Sequence, residues 1–250
     1  MSVADRAAAD WRAAAADGAM RRLNWLFTAT SVSVLVVTAE RFSFTTRVVL
    51  APWDFLRLHE LVQMLVVILA TVVIQALLLR EVSRRFTALS LWPFLVFVVG
   101  LYFYATGNGV HELGSFTFQT YCDFDDPSGN LCLGLFVNDF YTGNTMFFAG
   151  ALLTTTALLV LARRNPVGAD FGTGAFAVLL ANAAVYALAI VAYAGFDRVL
   201  VGLVFTVVMA VVALGFLVSV GRRYRRFPFI VYTAVVYPLG AVVGLLVRLA

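Results

Sequence analysis

The sequence predicts an all-α, polytopic membrane protein, a helical bundle of about seven transmembrane helices. Its composition points this way, because 62% of the residues are hydrophobic, 13% are charged, and the mean hydropathy is +0.92. Soluble domains average about a quarter charged residues, so a chain this apolar needs lipid around it. Backbone groups in hydrocarbon must be satisfied within the segment, and long continuous apolar runs are typical of helices rather than of barrel strands.

Seven apolar stretches are long enough to cross a bilayer, which takes about 20 helical residues. They cover residues 23–39, 60–79, 89–106, 140–162, 174–194, 199–220 and 227–249. Residues 1–22 predict a cytoplasmic N-terminal tail that starts the first helix, and residues 23–250 predict one transmembrane domain. Residues 107–139 predict a long outer loop, because turn-forming Gly, Asn, Pro and Ser residues accumulate there.

The arginines predict the orientation of the bundle. If the N-terminus lies inside, the inner segments carry 13 of the 18 arginines and the outer segments carry five. The positive-inside rule then places the C-terminus outside, in a multi-pass protein of the cell membrane. Because the arginines adjoin apolar spans, we expect membrane lipids as partners and no nucleic acid.

The two cysteines of the chain, Cys122 and Cys132, both fall in the predicted outer loop. A turn at residues 127–129 would bring their sulfur atoms together, and the outer side of a membrane is an oxidising environment. The sequence therefore predicts a disulfide. A thiolate metal pair is the alternative, although such pairs usually have a shorter spacing.

Ionisable and amide side chains collect at the predicted outer ends of four helices. An ionisable side chain at membrane depth costs about 2.5 to 3.5 kcal/mol on insertion scales, so this concentration needs a reason. The group includes both histidines of the chain, and its members are Glu40, His59, Glu60, Gln63, Asn108, His111, Glu112, Asn138 and Asp139.

One hypothesis for this group is a metal site, with zinc as the candidate cofactor. Two imidazoles and one carboxylate leave an open position on zinc for the activation of water. The predicted ligands are His59, His111 and Asp139, and the candidate catalytic bases are Glu60 and Glu112. Supporting residues that would orient the ligands are Glu40, Gln63, Asn108 and Asn138.

The competing explanation is that these residues are helix caps and wet interfacial groups. Asn138 or Asp139 would cap the fourth helix, and Glu60 favours the positive end of the second helix's dipole. No ligand pair has a diagnostic spacing such as HExxH.

Three functions follow from these alternatives. The metal-site hypothesis predicts a membrane-embedded enzyme whose outward-facing site acts on a lipid or another amphipathic substrate. A transporter or proton-coupled carrier is the second possibility. A haem-binding or structural membrane subunit, with His59 and His111 as axial ligands, is the third.

Overall fold

The computed structural model describes residues 3–250, with side chains described from residue 14 onward. The described chain is 82% helical, and it contains seven helices that are long and apolar enough to cross a membrane. This confirms the predicted seven-helix bundle. The helices are α1 (Val3–Glu40), α2 (Leu58–Val82), α3 (Leu91–Tyr121), α4 (Gly129–Arg164), α5 (Thr173–Phe196), α6 (Val201–Val220) and α7 (Pro228–Leu249).

The two ends of the bundle differ in their chemistry. We call the end that holds Glu40, His59 and His111 the histidine end, and the opposite end, which holds Arg80 and Arg164, the arginine end. Two helices are irregular near the histidine end, because α2 contains a π-helical segment at Gln63–Val67 and α4 contains one at Val137–Gly143. Such segments occur frequently at functional sites.

Glycines allow α3 and α4 to pack backbone to backbone. A Cβ atom added to Gly150 of α4 would lie 2.6 Å from the carbonyl oxygen of Gly100 in α3, and one added to Gly143 would lie 2.7 Å from the backbone nitrogen of His111. Small residues permit this close approach of helices in membranes. The contact sets His111 directly opposite the π-helical segment of α4.

Aromatic stacking joins the remaining helices. Phe27 of α1 stacks on Tyr232 of α7 with ring centroids 4.2 Å apart, and Phe148 of α4 stacks on Phe205 of α6 at 4.8 Å. Helix α5 packs along α7, and α1 packs on α5. Many apolar side chains on the outer faces remain unburied, as expected for helices surrounded by lipid.

The predicted loop over residues 107–139 is mostly helical, so that prediction is wrong. Helix α3 continues to Tyr121 and α4 already begins at Gly129, which leaves only residues 122–128 as the connection. Gly107 and Gly114 pack against the backbone of α4 instead of forming turns. Their polar neighbours are therefore helical residues near a helix contact rather than loop residues.

The N-terminal segment is continuous with the first helix, since α1 begins at Val3. Residues 1 and 2 of the predicted tail, and the side chains of residues 1–13, lie outside the described part of the chain. The cytoplasmic location of this segment stays a prediction.

The predicted disulfide is confirmed. The sulfur atoms of Cys122 and Cys132 are 1.99 Å apart, and the two Cα atoms are 5.6 Å apart. The bridge fastens the 122–128 connection to the first turn of α4. Arg198 covers this connection, because its guanidinium group lies 4.8 Å from the centre of the Phe124 ring and donates to the Phe124 carbonyl at 2.5 Å.

Candidate functional site

The first histidine of the site contacts the last residue of α1. Nδ1 of His59 lies 2.5 Å from Oε2 of Glu40, at ion-pair distance although not in hydrogen-bond alignment. The amide of Gln63 donates to the same oxygen at 2.7 Å, and the hydroxyl of Thr45 donates to the other carboxylate oxygen. Three side chains from α2 and the α1–α2 connection thus surround one buried carboxylate.

The second histidine contacts a carboxylate of α4. Nδ1 of His111 lies 2.8 Å from Oδ1 of Asp139, and it lies 3.2 Å from the main-chain oxygen of the same residue, where the hydrogen-bond geometry is better. Asp139 is 2% exposed, whereas the His111 side chain is 27% exposed. The pair therefore combines an enclosed carboxylate with an imidazole that reaches the surface.

Both pairs use the same nitrogen of the imidazole ring. A carboxylate at Nδ1 favours the tautomer with the proton on Nδ1, orients the ring, and stabilises the imidazolium ion. The lone pair of Nε2 is then left to accept a proton or to bind a metal. The two histidines share this arrangement even though their carboxylates come from different helices.

Glu60 belongs to an ion pair with the residue that precedes α2. Arg57 donates from Nε to Oε1 of Glu60 at 2.8 Å and from its backbone nitrogen to Oε2 at 3.0 Å. It also donates to Gln119 of α3 at 3.3 Å. Glu60 is 1% exposed, so these contacts compensate a fully buried charge and order the start of α2.

Glu112 is a further buried carboxylate of the histidine end. It is 5% exposed, and its nearest described polar partner is the amide of Asn108 at a long 3.5 Å. Glu112 is thus the least compensated buried carboxylate of the histidine end.

Three residues that were not among the predicted site residues, Asn144, Asp197 and Arg248, form a further polar contact at the histidine end. The amide of Asn144 in α4 donates to Asp197 at 3.2 Å, and Arg248 near the end of α7 donates to the Asp197 carbonyl at 2.7 Å. Burial raises the pKa of the Asp197 carboxyl, against the lowering effects of the Val199 N–H and of the His111 charge. In the sequence, the one feature that could have pointed to Asp197 is that it is a carboxylate in the short α5–α6 connection.

The nine predicted site residues thus divide into separate contacts. The structure brings His59 and Gln63 to Glu40, His111 to Asp139, and Asn108 to Glu112, whereas Asn138 is exposed. Asn138 and Asp139 lie inside α4 and do not cap its N-terminus.

Among the residues described, no group of three or more His, Cys, Asp or Glu side chains is arranged to hold a metal ion. The metal site and the haem site therefore stay predictions.

The connection between α1 and α2 forms an ordered hairpin beside the site. Two backbone hydrogen bonds close it: the Leu50 N–H donates to the Leu56 carbonyl at 2.8 Å, and the Leu58 N–H donates to the Val48 carbonyl at 2.8 Å. Its aromatic side chains point outward, and Phe42 and Trp53 are among the most exposed large residues of the described chain. Exposed aromatics at the ends of spans are typical of the membrane interface.

No protein-family model matches the chain, and no curated protein and no solved structure shows significant similarity to it. The residues of the site are therefore the basis on which a function can be inferred.

Proposed function

We propose that this protein is an enzyme of the cell membrane that performs acid–base catalysis at the histidine end on a lipid or another amphipathic substrate. The observation that carries this proposal is the shared geometry of the two histidines. His59 and His111 each contact a buried carboxylate through Nδ1, at 2.5 Å and 2.8 Å. Caps and wet interfacial groups do not require this repeated arrangement.

The chemistry follows from the free Nε2 atoms. Nε2 of one imidazole takes a proton from water or from a substrate hydroxyl, and the carboxylate behind Nδ1 stabilises the imidazolium ion that forms. The imidazolium then returns the proton to a leaving group. General acid–base catalysis of this kind contributes about 10²- to 10⁴-fold to a reaction rate.

The substrate class follows from where the site lies. The histidine pairs are at the ends of apolar helices, beside a hairpin with exposed aromatic residues. A substrate with an apolar tail can lie along the lipid-facing surface of the bundle while its polar group reaches the histidines. A fully water-soluble substrate would make no use of this surface.

A metal-dependent form of this enzyme requires a change in the predicted ligand set. Asp139 contacts Nδ1 of His111, so in this form it would orient a ligand rather than bind zinc itself. Nε2 of His111 is then the atom of this pair left to bind an ion, and no described group of three His, Cys, Asp or Glu side chains is arranged to complete its ligand set. Elemental analysis of the purified protein tests this form directly.

A proton-coupled carrier is the second candidate, and two observations favour it. Glu112 is a buried carboxylate with one distant described partner, and intramembrane carboxylates of this kind mark proton pathways in transporters. The π-helical segments interrupt α2 and α4 beside it, and transporters often use irregular helices at their binding sites.

Lipid mass spectrometry of membranes that contain equal amounts of folded wild type, His59→Gln or His111→Gln tests the enzyme. We expect the wild type to change the level of at least one lipid species and each variant to abolish this change. Arg47→Gln is the control, because Arg47 is exposed at the same end and outside the histidine pairs.

Proteoliposome flux measurements distinguish the two candidates. If no lipid species responds to either histidine and a proton flux depends on Glu112, the enzyme proposal is wrong and the carrier is favoured.

A further inference from the structure

The arginine end presents a surface of unusually one-sided charge. From residue 14 onward this end contains eleven arginines and three carboxylates, which are Asp17, Glu81 and Asp170. We call the eleven side chains the arginine surface, and its members are Arg21, Arg22, Arg80, Arg84, Arg85, Arg163, Arg164, Arg222, Arg223, Arg225 and Arg226.

Internal ion pairs neutralise little of this charge. Among the side chains described, one salt bridge forms at this end, between Nε of Arg22 and Glu81 at 2.8 Å. Arg222 and Arg223 are exposed, in the 3₁₀ turn that follows α6. The surface therefore keeps most of its positive charge for a partner.

Other arginines hold the three connections of this end in a fixed arrangement. Arg164 donates to Oγ of Ser90 at 2.9 Å, and Arg226 donates to the carbonyl of Val167 at 3.2 Å. These bonds join the α4–α5 connection to the start of α3 and to the 3₁₀ turn. Hydrogen bonds thus fix the connections that carry the guanidinium groups relative to one another.

The turn after α2 adds two guanidinium groups at the cost of an unfavourable backbone. Arg84, Arg85 and Phe86 have φ angles of 51°, 58° and 70°, a left-handed conformation that residues other than glycine rarely adopt. A backbone hydrogen bond supports this conformation, because the Arg85 N–H donates to the Arg80 carbonyl at 2.6 Å. Strain of this kind is concentrated at functional positions in proteins.

Apolar surface lies directly beside the charge. A cleft of about 250 Å³ between α1 and α2 is lined by Arg22, Trp25, Leu26, Leu77 and Glu81. Trp25 is 75% exposed, and Trp92 of α3 is 76% exposed at the same end. Tryptophans at this level of a span are typical of the lipid headgroup region.

We propose that the arginine surface is a binding site for anionic phospholipids, independent of the histidine end. The guanidinium groups bind the phosphate, since arginine pairs with phosphate through parallel N–H donors, and the cleft with its tryptophans takes the upper part of the acyl chains. A water-soluble polyanion would match the charge but leave the apolar walls uncovered. The combination of both surfaces favours the lipid.

Native mass spectrometry of the detergent-solubilised full chain tests the proposal with phosphatidylglycerol and phosphatidylcholine of identical acyl chains. The variant is R222Q/R223Q, and the matched control is R41Q/R47Q, which removes two exposed arginines from the histidine end. We expect phosphatidylglycerol to bind more tightly than phosphatidylcholine. R222Q/R223Q weakens its binding by about fivefold for each arginine removed, while R41Q/R47Q leaves it unchanged.

Three outcomes would overturn the proposal. Equal binding of the two lipids would show that the headgroup charge is not recognised. Equal losses in both double variants would show that the arginine surface is not the site. Binding of inorganic tripolyphosphate as tightly as phosphatidylglycerol would assign the surface to a soluble polyanion instead of a lipid.

Discussion

At the scale of single residues, Glu40 has the most connected carboxylate of the histidine end. It receives contacts from Thr45, His59 and Gln63, which come from the α1–α2 connection and from α2. A buried carboxylate requires such partners, because an uncompensated charge away from water is strongly destabilising. Glu40 therefore has two roles: it stabilises the contact between α1 and α2, and it orients the ring of His59.

Replacing Glu40 by Gln keeps the shape of the side chain but removes its charge. We expect the free energy of unfolding to fall by about 1 to 3 kcal/mol, because donors that faced a carboxylate then face a weaker acceptor. Thermal unfolding in detergent should show a midpoint lower by several degrees. Asp54→Asn is the control, since Asp54 is an exposed carboxylate of the same connection. An equal loss in both variants would contradict the role of Glu40.

Asp197 gives the histidine end a defined pH dependence. Burial raises the pKa of its carboxyl, so the folded protein binds the proton more tightly than the unfolded chain does. The stability contributed by this group therefore rises as the pH falls through the raised pKa, and it levels off near the ordinary aspartate value of about 3.9. Asp197→Asn removes this contribution.

The measurement is the midpoint of thermal unfolding between neutral and acidic pH. The wild type should gain stability relative to Asp197→Asn as the pH falls. A wild type that loses stability relative to the variant over this range would show that Asp197 has an ordinary or a lowered pKa.

At the scale of helices, the contact between α3 and α4 determines the second histidine pair. Gly143 of α4 faces the backbone of His111, and Gly114 of α3 faces Asp139. Neither position leaves room for a larger side chain without a shift of the helices. The distance between His111 and Asp139 is therefore set by glycines on both helices.

Gly150→Ala tests this contact against a matched control in the partner helix. A Cβ at Gly150 would lie 2.6 Å from the Gly100 carbonyl oxygen, so we expect a loss of about 1 to 3 kcal/mol from overpacking. A Cβ at Gly109 would meet nothing within 4 Å, so Gly109→Ala should leave stability unchanged or raise it by up to about 1 kcal/mol. Unfolding midpoints of the two variants in detergent provide the comparison. Equal effects would contradict close packing at Gly150.

The same contact explains why residues 107–121 were predicted as a loop. Glycine and asparagine near His111 are common in turns, and one sequence does not distinguish a turn from a helix face packed against another helix. Gly107 of this segment meets Phe147, and Gly114 meets Asp139, and both of these partners are distant in sequence. These contacts can be identified only once the relative positions of α3 and α4 are known.

At the scale of the whole molecule, the arginine asymmetry predicts the orientation in the membrane. A reporter active only in the cytoplasm should be active when fused after Arg164 or Arg226 and inactive when fused after Ala250. The physical reason is that arginine-rich ends are retained on the cytoplasmic side during insertion. Activity of the reporter at the C-terminus would show that the predicted orientation is wrong.

More features of the fold than of the site could be predicted from the sequence. Long apolar runs determine the number of helices, and Cys122 and Cys132 were paired correctly because only two cysteines share one segment. The partners of His59 and His111 could not be predicted, since each comes from another helix. Asp197 was missed for the same reason, because its contact with Asn144 depends on how α4 packs beside the end of α5.

A buried carboxylate lies beside Nδ1 of each histidine, and this arrangement carries the proposed chemistry. Nitrogen NMR of protein labelled with ¹⁵N-histidine in lipid nanodiscs tests it directly, because the chain contains only two histidines. At alkaline pH, where both rings are neutral, we expect both to carry the proton on Nδ1. Glu40→Gln should alter only the His59 signals, and Asp139→Asn only those of His111. Two rings protonated on Nε2, with neither variant changing their signals, would contradict the pairing of each Nδ1 with a carboxylate.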